Sequence, residues 1–175
     1  CMRLGLAGVE LGSNINGKPL GHPDHVPFFQ AAQSLGAAIF VHALRPAGME
    51  RMVGPPFVEQ VLAFPGEIGL AAASMLTTSV LMRVPKLRIS FSHGGGSLAM
   101  LLPRLQHAWQ QMPHVAKAIP DSPREQARHF LDARDGDSNK VAQLREARGF
   151  ALGDALLGTK HLRFVFLELG RHIAL

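Results

Sequence analysis

Two apolar runs, "AAIFVH" at 37–42 and "KLRISFSH" at 86–93, each end in a histidine. The first has no polar alternation, as expected of a strand covered on both faces in a parallel sheet, and the second reads as a further strand. A further run, "GVELGSN" at 8–14, reads as a short strand that ends in polar residues, and "MRLGL" before it reads as the last turn of a helix. Helical segments fall between the strands. Residues 24–35 are bounded by Asp24 as N-cap and Gly36 as stop. Residues 56–64 and 67–83 read as two helices, and 97–112 as one more, kinked or started at Pro103. Strand and helix alternate three times, the rhythm of a parallel α/β fold. Such folds bind ligands at the C-terminal ends of their strands, where Asn14, His42 and His93 gather.

Beyond residue 121 the pattern weakens. Residues 121–149 are charged and read as a surface excursion, helical in part. "FALGDALLG" at 150–158 reads as a strand. "TKHLRFVFLEL" at 159–169 has helical spacing at 162, 165, 166 and 169, and "RHIAL" opens one more strand.

Composition narrows the classes. The chain has 175 residues and is 47% hydrophobic, enough for one domain with its own core. The net charge of +5 and the pI near 10.1 invite a nucleic-acid reading. No run concentrates the excess and Tyr is absent, so nucleic acid is set aside. The single cysteine forms no internal disulfide and fits a reducing, cytoplasmic setting. The longest apolar stretch, 68–82, is too short to span a bilayer, and the opening residues lack a signal-peptide pattern. No membrane partner is expected.

A neutral imidazole serves as a ligand for a divalent transition metal or as a general base near neutral pH. A lone strand-end histidine is more often a hydrogen-bonded residue at the core rim. Two of them on successive parallel strands, one followed by three glycines, favour a functional reading of His42 and His93. Spacing alone does not separate ligand from base. His22 and His25 lie in a Pro/Gly loop and read as solvated. His107, His114, His129, His161 and His172 read as exposed. Arg104, early in the helix after His93, has the guanidinium to pair with a carboxylate through two parallel hydrogen bonds. Arg45 and Arg51 are weaker candidates for that work. "SHGGG" is neither a nucleophile elbow nor a dinucleotide fingerprint.

"GVELGSNINGKPL", "PFFQAAQSLGAAIFVH" and "RVPKLRISFSHGGGSLAMLLPRLQHAW", in this order and spacing, resemble the amidohydrolase-related metal-dependent (β/α)8 barrels. The nearest branch is the aminocarboxymuconate semialdehyde decarboxylase group, and the resemblance covers roughly residues 3–130. It implies that His42 ends the fifth barrel strand as a metal ligand. It implies that His93 is the catalytic base and that Arg104 binds a substrate carboxylate. It further implies zinc or another divalent transition metal, a small carboxylated substrate, aromatic or muconate-like, and a family that tends to dimerise.

The family's His-x-His metal pair and its late Gly-[ST]-Asp stretch do not occur in these residues, and Asp154 matches the seventh-strand Asp only weakly. The chain is therefore expected to be a single, truncated (β/α)8 TIM-type barrel domain, 1–175, spanning about strands four to eight. Residues 131–150 would be an insertion or irregular excursion. The expected function is part of a carboxy-lyase. The alternatives are a metal-dependent hydrolase of the amidohydrolase type and a catalytically inactive fragment.

Overall fold

The computed structural model describes residues 2–132 and 164–166. Strand β1 (Gly8–Gly12) is followed by a small hairpin, β2 (Asn14–Ile15) and β3 (Lys18–Pro19), and by helix α1 (Val26–Ser34). Next come β4 (Ala38–His42), α2 (Val58–Thr77), α3 (Val80–Arg83) and β5 (Arg88–Phe91). Helices α4 (Leu98–Gln111), α5 (Pro113–Ala118) and α6 (Pro123–Asp132) follow, then β6 (Phe164–Phe166). The main sheet has the order β5-β4-β1-β6. Every pairing in it is parallel, with Gly12 beside His42 and Val41 beside Phe91. The three βα units anticipated from the apolar rhythm are all present.

The core lies between sheet and helices. Leu11, Ile39, Val41 and Ile89 pack with Phe29 of α1, Met75 and Leu76 of α2 and Leu81 of α3. Gly8 is required by close strand approach, since a Cβ there would sit 1.9 Å from the Ala38 carbonyl oxygen. Among the described residues no helix is long and apolar enough to cross a membrane.

Several boundaries differ from the sequence expectation. The segments 56–64 and 67–83 are not two helices broken at Pro65. Helix α2 runs through that proline and breaks instead at Ser79, whose φ is +52°. Pro65 removes one intrahelical donor. Its carbonyl accepts the Ser97 amide at 2.9 Å, so α2 is tied to the turn after β5. Helix α4 likewise starts at Leu98 and contains Pro103. Asp24 does not cap α1, whose N-cap is His25. Asp24 belongs to a short 3-10 turn capped by the His22 ring.

Residues 123–130 are not a surface excursion. Gln126 and Ala127 are buried, and Phe130 packs edge-on against Phe91 with ring centres 5.0 Å apart. The residues read as a helix around 165 form a strand where described: Phe164, Val165 and Phe166 pair with Gly8, Val9 and Glu10. Aromatic and β-branched residues favour a free sheet edge over a helix, and a short apolar run does not separate the two by spacing. In a barrel built in chain order the strand after β5 would extend the sheet at β5; β6 stands at the opposite edge. The strands expected at 150–158 and 171–175, most of the 131–150 segment and Asp154 lie outside the described residues.

His25 also departs from its expected solvated state. It is 8% exposed, and among the described residues its Nε2 has no hydrogen-bond partner. Burial pushes its imidazole below the usual histidine value, and neighbouring His22 adds to this against the opposing charge of Asp24. The unfolded chain then binds a proton that the folded one resists. This contribution to stability is full above the unfolded value of about 6.5 and is lost as pH falls through the lower folded value. Thermal unfolding followed from about pH 5 to about pH 7.5 should show the midpoint rising with pH. His25→Phe should flatten part of that rise.

Candidate active site

The site is built where β4 and β5 end. His42 is the last residue of β4, and its position is set by the parallel register with Gly12. Its Nδ1 lies 3.2 Å from the Ala43 carbonyl oxygen. A carbonyl only accepts, so Nδ1 carries the proton and Nε2 presents a lone pair.

His93 follows β5 after Ser92, whose amide donates to the Val41 carbonyl at 2.8 Å. The chain then turns sharply. His93 itself has a φ of +51°, and Gly94, Gly95 and Gly96 continue at +61°, +86° and +58°. A non-glycine residue in that region carries backbone strain, a feature that clusters at functional positions. The three glycines serve two ends. Among the described residues a Cβ on Gly94 or Gly95 would meet nothing within 4 Å, so these two leave the ground beside His93 clear of those residues. A Cβ on Gly96 would lie 2.1 Å from the Pro65 carbonyl oxygen, so this glycine lets the turn close onto α2.

The turn brings the two imidazoles together. Their ring centres are 5.8 Å apart at an interplanar angle of 53°. Phe64 of α2 stands edge-on to His93 at 6.2 Å. Partial burial holds His93 below the ordinary imidazole value, and a positive charge on His42 would lower it further. The neutral form, which can accept a proton, therefore persists at neutral pH.

Arg104 is placed differently. It is exposed on α4, where it lines an open groove of about 390 Å³ with Pro103, His107, Ala108 and Met112. Among the described residues its guanidinium makes no hydrogen bond or ion pair, and none to either imidazole. Arg45 and Arg51 are exposed, as are His107 and His114. The structure adds two side chains that sequence reasoning passed over, Ser13 and Glu67, and joins to them Asn14, read from the sequence as a polar residue at a strand end. Ser13 and Asn14, just after β1, contact Leu44 beyond β4 and Glu67 on α2. Glu67 is a lone acid in the apolar run "FPGEIGLAAAS", which was the available signal.

The donor chemistry at His42 fits a divalent transition metal: a neutral imidazole whose second nitrogen is held by a carbonyl is a typical ligand arrangement. Among the described residues no group of three or more His, Cys, Asp or Glu side chains converges to complete such a shell.

Comparison with known proteins gives relatives in sequence and in fold. The chain is 37% identical over 126 residues to a 2-amino-3-carboxymuconate-6-semialdehyde decarboxylase of Dictyostelium discoideum, covering 71% of this chain and 34% of that protein. It is 28% identical over 165 residues to a 6-methylsalicylic acid decarboxylase of Penicillium expansum, covering 91% and 49%. The chain thus spans between a third and a half of the length of these relatives. Among solved structures, an amidohydrolase of Mycobacterium avium subsp. paratuberculosis K-10 superposes with a TM-score of 0.59 at 24% identity, covering 74% of this chain and 35% of that one. The apo IDCase of Metarhizium anisopliae does so with a TM-score of 0.54 at 23% identity, covering 90% and 36%. These two likenesses speak to the fold. The amidohydrolase family profile matches residues 1–149, most of the chain. The chain belongs to the amidohydrolase family.

Proposed function

We propose that this chain is part of a metal-dependent carboxy-lyase acting on a small carboxylated substrate, aromatic or muconate-like. The observation that carries the proposal is the pairing of His42 and His93 at the C-terminal edge of a parallel sheet, 5.8 Å apart. The names of the decarboxylase relatives support the reaction class. In this reading the chain is a single domain, with β1, β4 and β5 as strands four, five and six of a (β/α)8 barrel.

His42 would hold zinc or a similar divalent metal through Nε2, with other ligands completing the shell. Such a metal, when bound, supplies a Lewis acid that withdraws charge from the substrate. The chain's own residues do the rest. His93, neutral at rest, accepts a proton from a hydroxyl or a water in the cleft. The bond between the substrate carbon and its carboxylate breaks and carbon dioxide leaves. The imidazolium of His93 then returns the proton to that carbon. Phe64 limits the ring's travel and shields one side from water. The open ground over Gly94 and Gly95 admits the substrate beside His93.

Arg104 is assigned to the substrate carboxylate. Arg104→Met should raise KM by about 10- to 100-fold, the effect of a lost charge-assisted hydrogen bond, with a smaller change in kcat. Steady-state kinetics on the preferred carboxylate checks this. The reaction class is tested by assaying carbon dioxide release from a panel of hydroxybenzoates and muconate semialdehydes, with and without a chelator. Chelator-sensitive release supports the proposal. Amide hydrolysis without decarboxylation would point to hydrolase chemistry, and metal-insensitive inactivity on every substrate to an inactive segment.

A further inference from the structure

Glu67 has no part in the chemistry above, yet it is wired to the loop that carries His42. We propose that Glu67 is a positioning residue for His42: through Ser13 and Asn14 it fixes the backbone at residues 42–44, and so the direction in which His42 Nε2 presents its lone pair. The inference rests on the reading of His42 as a metal ligand.

The hydrogen-bond inventory has one consistent solution. The amide of Gly17 donates to Asn14 Oδ1 at 3.2 Å, which fixes the orientation of the Asn14 side chain. Its Nδ2 then donates both hydrogens, one to the Leu44 carbonyl at 2.8 Å and one to Glu67 Oε1 at 3.2 Å. Ser13 Oγ lies 2.8 Å from the same carboxylate oxygen. An ionised carboxylate only accepts, so the hydroxyl spends its single proton there. The Ser13 lone pairs are thereby left to accept the Leu44 amide at 3.0 Å. The longer 3.4 Å approach of Ser13 Oγ to the Leu44 carbonyl is secondary.

Both backbone groups of Leu44 are therefore held, and Glu67 sets the polarity of the network that holds them. Ser13 is 1% exposed, so an unmet partner there is not rescued by water. Leu44 is two residues from His42, and the intervening Ala43 supplies the carbonyl that holds His42 Nδ1. Beyond Leu44 the chain turns through Arg45 at a φ of +47°, so the clamp is the last fixed point before a strained turn. Three elements meet in it: the end of β1, the end of β4 and the body of α2.

The test uses the full-length protein and zinc alone, by competition with a chromophoric chelator, with the melting temperature of each metal-free variant measured alongside. Glu67→Met removes the acceptor and keeps the bulk. It should weaken zinc binding by about 10- to 100-fold, the range for partners behind a metal ligand, at a temperature where the variant is fully folded. Glu67→Gln keeps a carbonyl oxygen for Ser13 and Asn14 and should restore most of the affinity. A purely structural role would lower the melting temperature and leave the affinity of the folded protein unchanged. That outcome, with His42→Ala losing zinc, would overturn the inference and leave His42 as ligand. If His42→Ala itself binds zinc like the parent, the ligand reading fails first. Should Glu67→Met not fold, Ser13→Ala, which deletes the hydroxyl between Glu67 and Leu44, carries the same expectation and the same contrary outcome.

Discussion

Replacing His93 with asparagine is expected to lower kcat by about 10²- to 10⁴-fold, the contribution of a positioned general base, while metal content stays at the parent level. The reasons lie in how the ring is held. The Ser92 amide pins the strand end to Val41, and the Gly96 amide donates to the His93 carbonyl at 2.9 Å. Phe64 meets the ring at its edge. Little conformational freedom is left to lose on reaching the transition state, so the cost of removing the base should fall on kcat rather than KM. Asparagine is polar and of similar reach, so the turn should survive it. Kinetics and metal analysis on one preparation check the split. Loss of metal from His93→Asn would move His93 into the metal shell and leave the proton without a carrier.

Gly96→Ala is expected to destabilise the fold by about 3–5 kcal/mol, in the range reserved for core or backbone faults. The backbone at Gly96, with φ +58° and ψ −137°, is one that side chains rarely adopt, and the added methyl would strike the Pro65 carbonyl oxygen at 2.1 Å. Neither fault can relax cheaply, because Pro65 is fixed in the middle of α2 and its carbonyl also takes the Ser97 amide. The melting temperature should fall by about 10 °C for a chain of this size. Gly94→Ala makes a sharp control. Its φ is +61° but among the described residues a methyl there meets nothing within 4 Å, so the left-handed strain of about 1–2 kcal/mol is what remains. Equal melting temperatures for the two variants would show that the glycines serve conformation alone and that the contact with α2 is unimportant.

What the sequence made legible follows from which forces are local. The run ending at His42 is uninterrupted, and the one ending at His93 sets Leu87, Ile89 and Phe91 on one face, so both strands could be read directly, and the turn signal of three glycines is a local backbone requirement. The path of α2 through Pro65 was not legible, because the contact that ties that segment down, the Ser97 amide on the Pro65 carbonyl, comes from far along the chain. His25 is the same case: its burial depends on neighbours that a Pro/Gly loop does not announce. Phe164–Phe166 carried helical spacing, and its choice of strand came from an unpaired edge of β1 laid down much earlier in the sequence. Glu67 stands out in the sequence only as a lone acid in an apolar helix, because its donors Ser13 and Asn14 are remote in sequence and meet it only in the fold. Arg104 was singled out by its type and place, while the structure sets it on an open groove of α4 that was not foreseen.

In the proposed reaction His93 returns a proton to the carbon that loses its carboxylate, beside a metal held in part by His42. The most direct test is a single-turnover reaction of the metal-loaded full-length protein in D₂O, following carbon dioxide and the position of deuterium in the product. The account predicts carbon dioxide release with deuterium at the vacated carbon, and His93→Asn should lose both while keeping its metal. Undiminished release and labelling by His93→Asn would contradict it.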